Sequence, residues 1–194
     1  MSFSKNYLNE CIEICNKIDA QEIENMASLI NSIRDNNGRI FFLGVGGGAG
    51  HAGHAVNDFR KICNIESYNP SDNVSELTAR TNDEGWDTVF CEWLKTSNLC
   101  EKDALFVFSV GGGNKERNVS TNLISALNLG KEKNSKIIGI IGRDGGYVKQ
   151  VADHILIIPT INSQHITPHA ESFQAVCWHC LVCHPKLKKN ETKW

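Results

Sequence analysis

The stretch Ile40-Phe41-Phe42-Leu43-Gly44-Val45-Gly46-Gly47-Gly48-Ala49-Gly50 joins an unbroken apolar run to a glycine-rich loop. A short continuous apolar run bounded by a turn is how a strand buried on both faces reads. The glycines that follow let the backbone approach a ligand closely, and a helix starting near Ala49 would offer free N–H groups to an anion. Strand, glycine loop and helix in that order are the opening of a βαβ unit.

The pattern recurs outward from there. Leu105-Phe106-Val107-Phe108, Ile137-Ile138-Gly139-Ile140-Ile141 and Ile155-Leu156-Ile157-Ile158 are further apolar runs, separated by helical segments. A weaker strand is expected between Asn64 and Tyr68. Strands alternating with helices give a parallel sheet covered on both faces, so the fold class is α/β, a three-layer sandwich. Two amphipathic helices precede the first strand, on the stripes Leu8, Cys11, Ile12, Cys15, Ile18 and Ile23, Met26, Ala27, Ile30, Ile33; Asn36-Asn37-Gly38 stops them. A last helix is expected from Pro168 to Val182, with Thr167 as its cap and Pro168 at its first position. His184-Pro185 would end it.

Composition narrows the function classes. The chain has 194 residues, 20 Lys+Arg, 22 Asp+Glu and a formal charge of -2, so it lacks the surplus of cations that a phosphate backbone requires. Lys186, Lys188 and Lys189 read as a solvated tail. No apolar run approaches the roughly 20 residues that span a bilayer, and the start of the chain has no secretory h-region. No nucleic acid or membrane partner is expected, and a cytoplasmic location follows. Several of the eight cysteines fall on apolar helix stripes, where a free thiol acts as a small hydrophobe in a reducing compartment.

Four motifs could carry chemistry. Gly44, Gly46 and Ala49 fit a dinucleotide fingerprint, with Glu66 about 20 residues on as the ribose acid. Ser109-Val110-Gly111-Gly112-Gly113-Asn114 is a second glycine loop after another strong strand. The dinucleotide reading leaves it idle, whereas a compact phosphorylated substrate would use both loops at the carboxyl ends of the strands. His51, His54 and Asp58 share one helix face, and Glu171 and His179 lie two turns apart on the last helix, a nitrogen and oxygen donor set that suits zinc. Cys177, Cys180 and Cys183 have iron–sulfur-like spacing without the fourth ligand and read as buried helix thiols.

Taken together these segments resemble the sugar isomerase (SIS) domain family, most closely its phosphoheptose isomerases, from the opening helices to about Leu181. The resemblance rests on the first glycine loop with His54 and Asp58 on the next helix, the Asn82-Asp83 pair, the second loop, and Glu171 with His179 eight residues apart. It implies a five-stranded, flavodoxin-like sheet in a single SIS domain over residues 1–194. Residues 1–36 would lie at the interface of a homotetramer whose active sites form between subunits. It implies conversion of D-sedoheptulose 7-phosphate to D-glycero-D-manno-heptose 7-phosphate, or of a closely related heptose phosphate, through an enediol(ate). One zinc ion would be held by His54, Asp58, Glu171 and His179, with Asp58 and His179 as acid and base. Gly46, Gly47, Gly48, Asn82, Asp83, Ser109, Val110, Gly111, Asn114 and Glu171 would touch the sugar phosphate, and His51 would serve as a relay.

The chain also departs from the family pattern. Val45 replaces an Asn, Asp58 a Glu and Glu171 a Gln, so the metal would face two negative charges. The second loop has lost hydroxyls, which shifts the phosphate toward backbone N–H groups, Ser109, Asn114, Lys115 or Arg117. The competing expectation is a SIS-domain protein that binds a sugar phosphate or bridges partners without catalysis; the surviving donor set favours the enzyme.

Overall fold

The computed structural model describes residues 2–192. Two helices, α1 (Phe3–Lys17) and α2 (Ala20–Asp35), are followed by β1 (Ile40–Gly44), α3 (Gly47–Lys61), β2 (Ser67–Tyr68), α4 (Val74–Asp83) and α5 (Val89–Thr96). Then come β3 (Ala104–Ser109), α6 (Thr121–Glu132), β4 (Lys136–Ile141), α7 (Gly146–Val151), β5 (His154–Ile157) and α8 (Ile166–Cys183). The strands form one parallel five-stranded sheet in the order β2-β1-β3-β4-β5. The expected α/β sandwich with two leading helices is the observed one.

Side chains alternate across a strand, so each apolar run feeds two cores. Ile40, Phe42, Phe106, Phe108, Ile138 and Ile140 pack under α2, α3 and α8, together with Met26, Ile30, Phe59, Phe173 and Trp178. Phe41, Leu43, Leu105, Val107, Ile137 and Ile141 face the other layer, with Phe90, Leu94, Leu123, Leu127 and Val148 from α5, α6 and α7. The order of strands reverses between β1 and β3, and open α/β sheets bind ligands at such a switch point. Gly44–Gly48 and Ser109–Asn114 flank it. A Cβ on Gly48 would stand 2.5 Å from the Phe108 carbonyl oxygen, so the start of α3 can lie this close to β3 only with a glycine there.

Several expectations need correction. Helix α8 begins at Ile166 without a side-chain cap, so Thr167 is already helical and Pro168 occupies the third helical position. Proline is tolerated there because first-turn N–H groups have no intrahelical acceptor. Helix α3 starts at Gly47, and the weak strand shrinks to Ser67–Tyr68. On α1, Ile14 enters the core while Leu8 and Ile12 remain 62% and 60% exposed. The lysine tail is not solvated throughout: Leu187 is fully buried, and the Arg34 guanidinium donates to the Lys186 and Leu187 carbonyls.

A buried ion pair fixes the edge of the sheet away from the loops. Asp103 is 1% exposed and accepts from the Arg39 backbone N–H, Nε and Nη2 and from the Cys100 N–H. Burial pushes the Asp103 carboxyl up, but these hydrogen bonds outweigh it and hold the group below its ordinary value. Among the described residues no helix is long and apolar enough to cross a membrane.

Candidate active site

Helices α3 and α8 pack against each other, and their contact builds the site. His54 and Asp58 are one turn apart on α3, and His179 approaches from α8. His54 Nε2 lies 3.7 Å and His179 Nε2 3.9 Å from Asp58 Oδ2. The imidazole centroids are 5.3 Å apart. Asp58 is a buried floor, 4% exposed, while the two imidazoles form a half-open rim.

Neighbouring groups aim these atoms. The Asn57 amide donates to Asp58 Oδ1 at 2.8 Å, leaving Oδ2 turned toward the imidazoles. His179 Nδ1 is 2.7 Å from the Ala175 carbonyl oxygen, so it carries the proton and Nε2 presents a lone pair. Trp178, fully buried, stacks on His179 with centroids 3.5 Å apart and meets His54 edge-on at 4.7 Å. Two imidazole nitrogens and one carboxylate oxygen, all within 4.8 Å of one another, fit a divalent ion. The separations exceed direct hydrogen bonds, and three protein ligands with an open position are the arrangement of catalytic zinc.

Glu171 is not among the three. Its carboxylate lies over the first turn of α3, where a Cβ on Gly47 would stand 2.6 Å from both Cδ and Oε1. Eight residues along a helix give a rise of about 12 Å and a residual rotation of about 80°, which sets Glu171 by the first turn of α3 and His179 by Asp58. Asp58 supplies the one negative charge among these three atoms. The carboxylate complements the positive start of α3, the position that the sequence reserves for a substrate anion. His51, half-buried, sits near Glu171. Burial pushes its imidazole below the ordinary value, against the opposing pull of the Glu171 charge and carbonyl.

The second loop is folded around its own backbone. Ser109 Oγ accepts from the Gly112 N–H at 3.0 Å, and Gly112 and Gly113 carbonyls accept from Val148 and Tyr147 N–H groups. Gly112, with φ +68°, has no room for a Cβ, which would stand 2.1 Å from the Gly145 carbonyl oxygen. Val110 and Gly111 continue from β3, and Asn114 Oδ1 accepts from the Arg117 N–H. A cavity of about 470 Å³ lies here, lined by Gly111, Asn114, Arg117, Arg143 and Asp144 among others. The sequence reading missed Arg143, an exposed cation at the carboxyl end of β4. The rule that singled out the loops after β1 and β3 applies there too. Gln174, also missed, bolts α8 to this edge by donating to the Ser109 and Ile140 carbonyls at 3.0 Å each.

Other expected residues stand apart. Asn82 and Asp83 end α4, both exposed and bonded to each other at 2.7 Å. Glu66 pairs beside the start of β1, its carbonyl accepting from the Ile40 N–H, so it is at the far end of the strand from the glycine loop. That placement removes the dinucleotide reading, which needs the acid at the carboxyl end. Cys177 is buried, with its thiol pushed up to about 12 by burial, but Cys180 and Cys183 are exposed, so the buried-thiol expectation holds for Cys177 alone.

Comparison with known proteins decides the family. The SIS domain pattern matches residues 6–142. The phosphoheptose isomerase of Chlorobaculum tepidum is 30% identical over 152 residues, 75% of this chain and 69% of that protein. The chain belongs to the SIS-domain family, in its phosphoheptose isomerase branch. By class it is a sugar phosphate isomerase. The lincomycin biosynthesis protein LmbN of Streptomyces lincolnensis is 32% identical over 154 residues, 74% of this chain, and the chain spans about half of its length, 54%. The fold is shared with phosphoheptose isomerase GmhA from Neisseria gonorrhoeae, with TM-score 0.78 and 22% identity over 94% of this chain and 98% of that one. Helix α8, which supplies His179, lies beyond the matched SIS segment, so the cluster is an observation of this structure.

Proposed function

We propose that this SIS protein interconverts D-sedoheptulose 7-phosphate and D-glycero-D-manno-heptose 7-phosphate, or a closely related heptose phosphate, at a zinc site held by His54, Asp58 and His179. The convergence of those three side chains from two helices carries the reading. A divalent ion there would polarise the sugar oxygens and stabilise the oxyanion of the enediolate.

The chain's own groups perform the proton transfers. Going from ketose to aldose, one proton leaves C1 and one arrives at C2, while the hydroxyl proton moves from O1 to O2. Asp58, the buried carboxylate turned into the site, takes the carbon-bound proton on Oδ2 once that oxygen is off the ion, and after exchange with solvent delivers a proton to the neighbouring carbon. His179 Nε2, its tautomer set by Ala175, moves the proton between the oxygens only when its lone pair is released from the ion. Glu171 and His51 border the other side at the start of α3, where a carboxylate and a neutral imidazole orient the sugar hydroxyls. With Glu171 over the first loop, the phosphate belongs at the second, against Asn114, Arg117 and Arg143.

A homotetramer is part of this proposal. Leu8 and Ile12, one turn apart, leave apolar surface on the outer side of α1, at 62% and 60% exposure, and Trp86 is 40% exposed three residues beyond Asp83. Exposed apolar side chains of this kind are what an association surface would bury. Packing of subunits would bring Asn82 and Asp83 to a neighbour's substrate.

Turnover of sedoheptulose 7-phosphate by zinc-loaded protein tests the reading. Product is expected, with loss of activity on chelation and in Asp58→Asn. Binding of the sugar phosphate without turnover would identify a sensor instead.

A further inference from the structure

A second cluster of imidazoles and carboxylate lies where α1 crosses the start of α8, and the isomerase reading makes no use of it. Glu10 Oε2 is 2.8 Å from His165 Nδ1 and 2.7 Å from His169 Nε2. Its other oxygen accepts from the Asn162 amide at 2.8 Å. We propose that Glu10, His165 and His169 form a second divalent-metal site, of the zinc type, which ties α1 to α8.

The donor set comes first. Three atoms from three side chains, two imidazole nitrogens and a carboxylate oxygen, lie within 4.8 Å of one another. Zinc takes this combination of two histidines and one carboxylate. The supporting contacts are also in place. Asn162 fixes the carboxylate through the oxygen that does not face the imidazoles. His169 is 3% exposed, and its outward nitrogen, Nδ1, lies 3.9 Å from the Cys11 thiol. A metal-bound imidazole uses its other nitrogen in this way, handing its N–H to a fixed acceptor. Tyr7 packs on the His169 ring at 4.4 Å and on the His165 ring at 5.3 Å, which restricts both rotamers.

The spacing shows what binding requires. Ligand atoms around a tetrahedral zinc with bonds of about 2.0–2.1 Å are roughly 3.3 Å apart, so the present hydrogen bonds must open by about half an ångström. His165 can supply that movement, since it lies in the short turn Ser163–His165 ahead of α8 and is only partly buried. His169 and His179 are ten residues apart on α8, a separation of about 15 Å along the axis, so the two sites load independently.

The test counts metal on the intact chain. Chelated protein titrated with zinc chloride in a calorimeter, and checked by elemental analysis, should bind two equivalents per chain. His165→Ala and Glu10→Gln should each lose one equivalent, and His54→Ala the other. In His54→Ala, zinc at a hundred times its Kd should raise Tm by about 5 °C or more, because a metal selective for the folded chain stabilises it. A single equivalent in wild type that His54→Ala abolishes, or a stoichiometry unchanged by both His165→Ala and Glu10→Gln, overturns the proposal. Circular dichroism establishes that each variant is folded. The partly exposed His165 provides a second route if Glu10→Gln is not. A single equivalent that survives His54→Ala and disappears in His165→Ala would count against the isomerase site and leave this one standing.

Discussion

Gly47→Ala separates the position of Glu171 from the stability of the fold. The added Cβ would stand 2.6 Å from the Glu171 carboxylate carbon, against about 3.5–4.0 Å for ordinary contact. The carboxylate must therefore move by about 1 Å. It is the far end of a flexible side chain, so a shifted rotamer costs about 0.5–1.5 kcal/mol. Alanine in a helix recovers up to about 1 kcal/mol over glycine, less in a first turn. These effects nearly cancel, and Tm should stay within about 3 °C of wild type. A misplacement of that size in a group that orients substrate costs about a hundredfold in rate. Steady-state kinetics on sedoheptulose 7-phosphate should show that loss in kcat/KM, with zinc content unchanged. Activity at the wild-type level would remove Glu171 from the reaction. Parallel loss of zinc would make it a fourth ligand and refute the three-ligand geometry.

Asn57→Ala removes the hydrogen bond that turns Asp58 Oδ2 into the site, and competition with a chelating dye should show zinc affinity about 10–100-fold weaker. Arg143→Ala should raise KM for the sugar phosphate by about tenfold or more, the loss of one charge-assisted hydrogen bond, with Tm unaltered. Inorganic phosphate should inhibit the variant correspondingly less. Asp103→Ala leaves the Arg39 guanidinium without its buried partner and should cost about 3–5 kcal/mol, read in urea melts. In wild type the Asp103 contribution is complete above the ordinary carboxyl value of about 3.9 and fades as pH falls through its lower folded value. Acid titrations of wild type and variant should converge in that range.

The strands were legible because burial on both faces removes polar residues from them, and Ile40–Leu43, Leu105–Phe108 and Ile137–Ile141 appear as unbroken apolar runs. Helix α1 was harder. Its apolar residues spread around the helix, and a stripe that faces a partner looks the same in sequence as one that faces the core. The His54–Asp58 pair was legible from spacing within one helix. The approach of His179 followed from family resemblance, since spacing along one helix does not say which other helix it meets. Glu171 shows the limit of counting turns, because an eight-residue interval neither closes the rotation nor keeps the rise small. Arg143 and the Glu10, His165 and His169 cluster had no local motif. The first depends on which loops meet at the sheet edge, and the second on a contact between the two ends of the chain.

Isomerisation in deuterium oxide, followed by NMR of the sugar carbons, tests the chemistry most directly. Zinc-loaded protein given sedoheptulose 7-phosphate should place solvent deuterium at C2 of the aldose product, and Asp58→Asn should place none. Sugar phosphate that binds but neither converts nor exchanges its C1 protons, or exchange that continues undiminished in Asp58→Asn, would contradict the account.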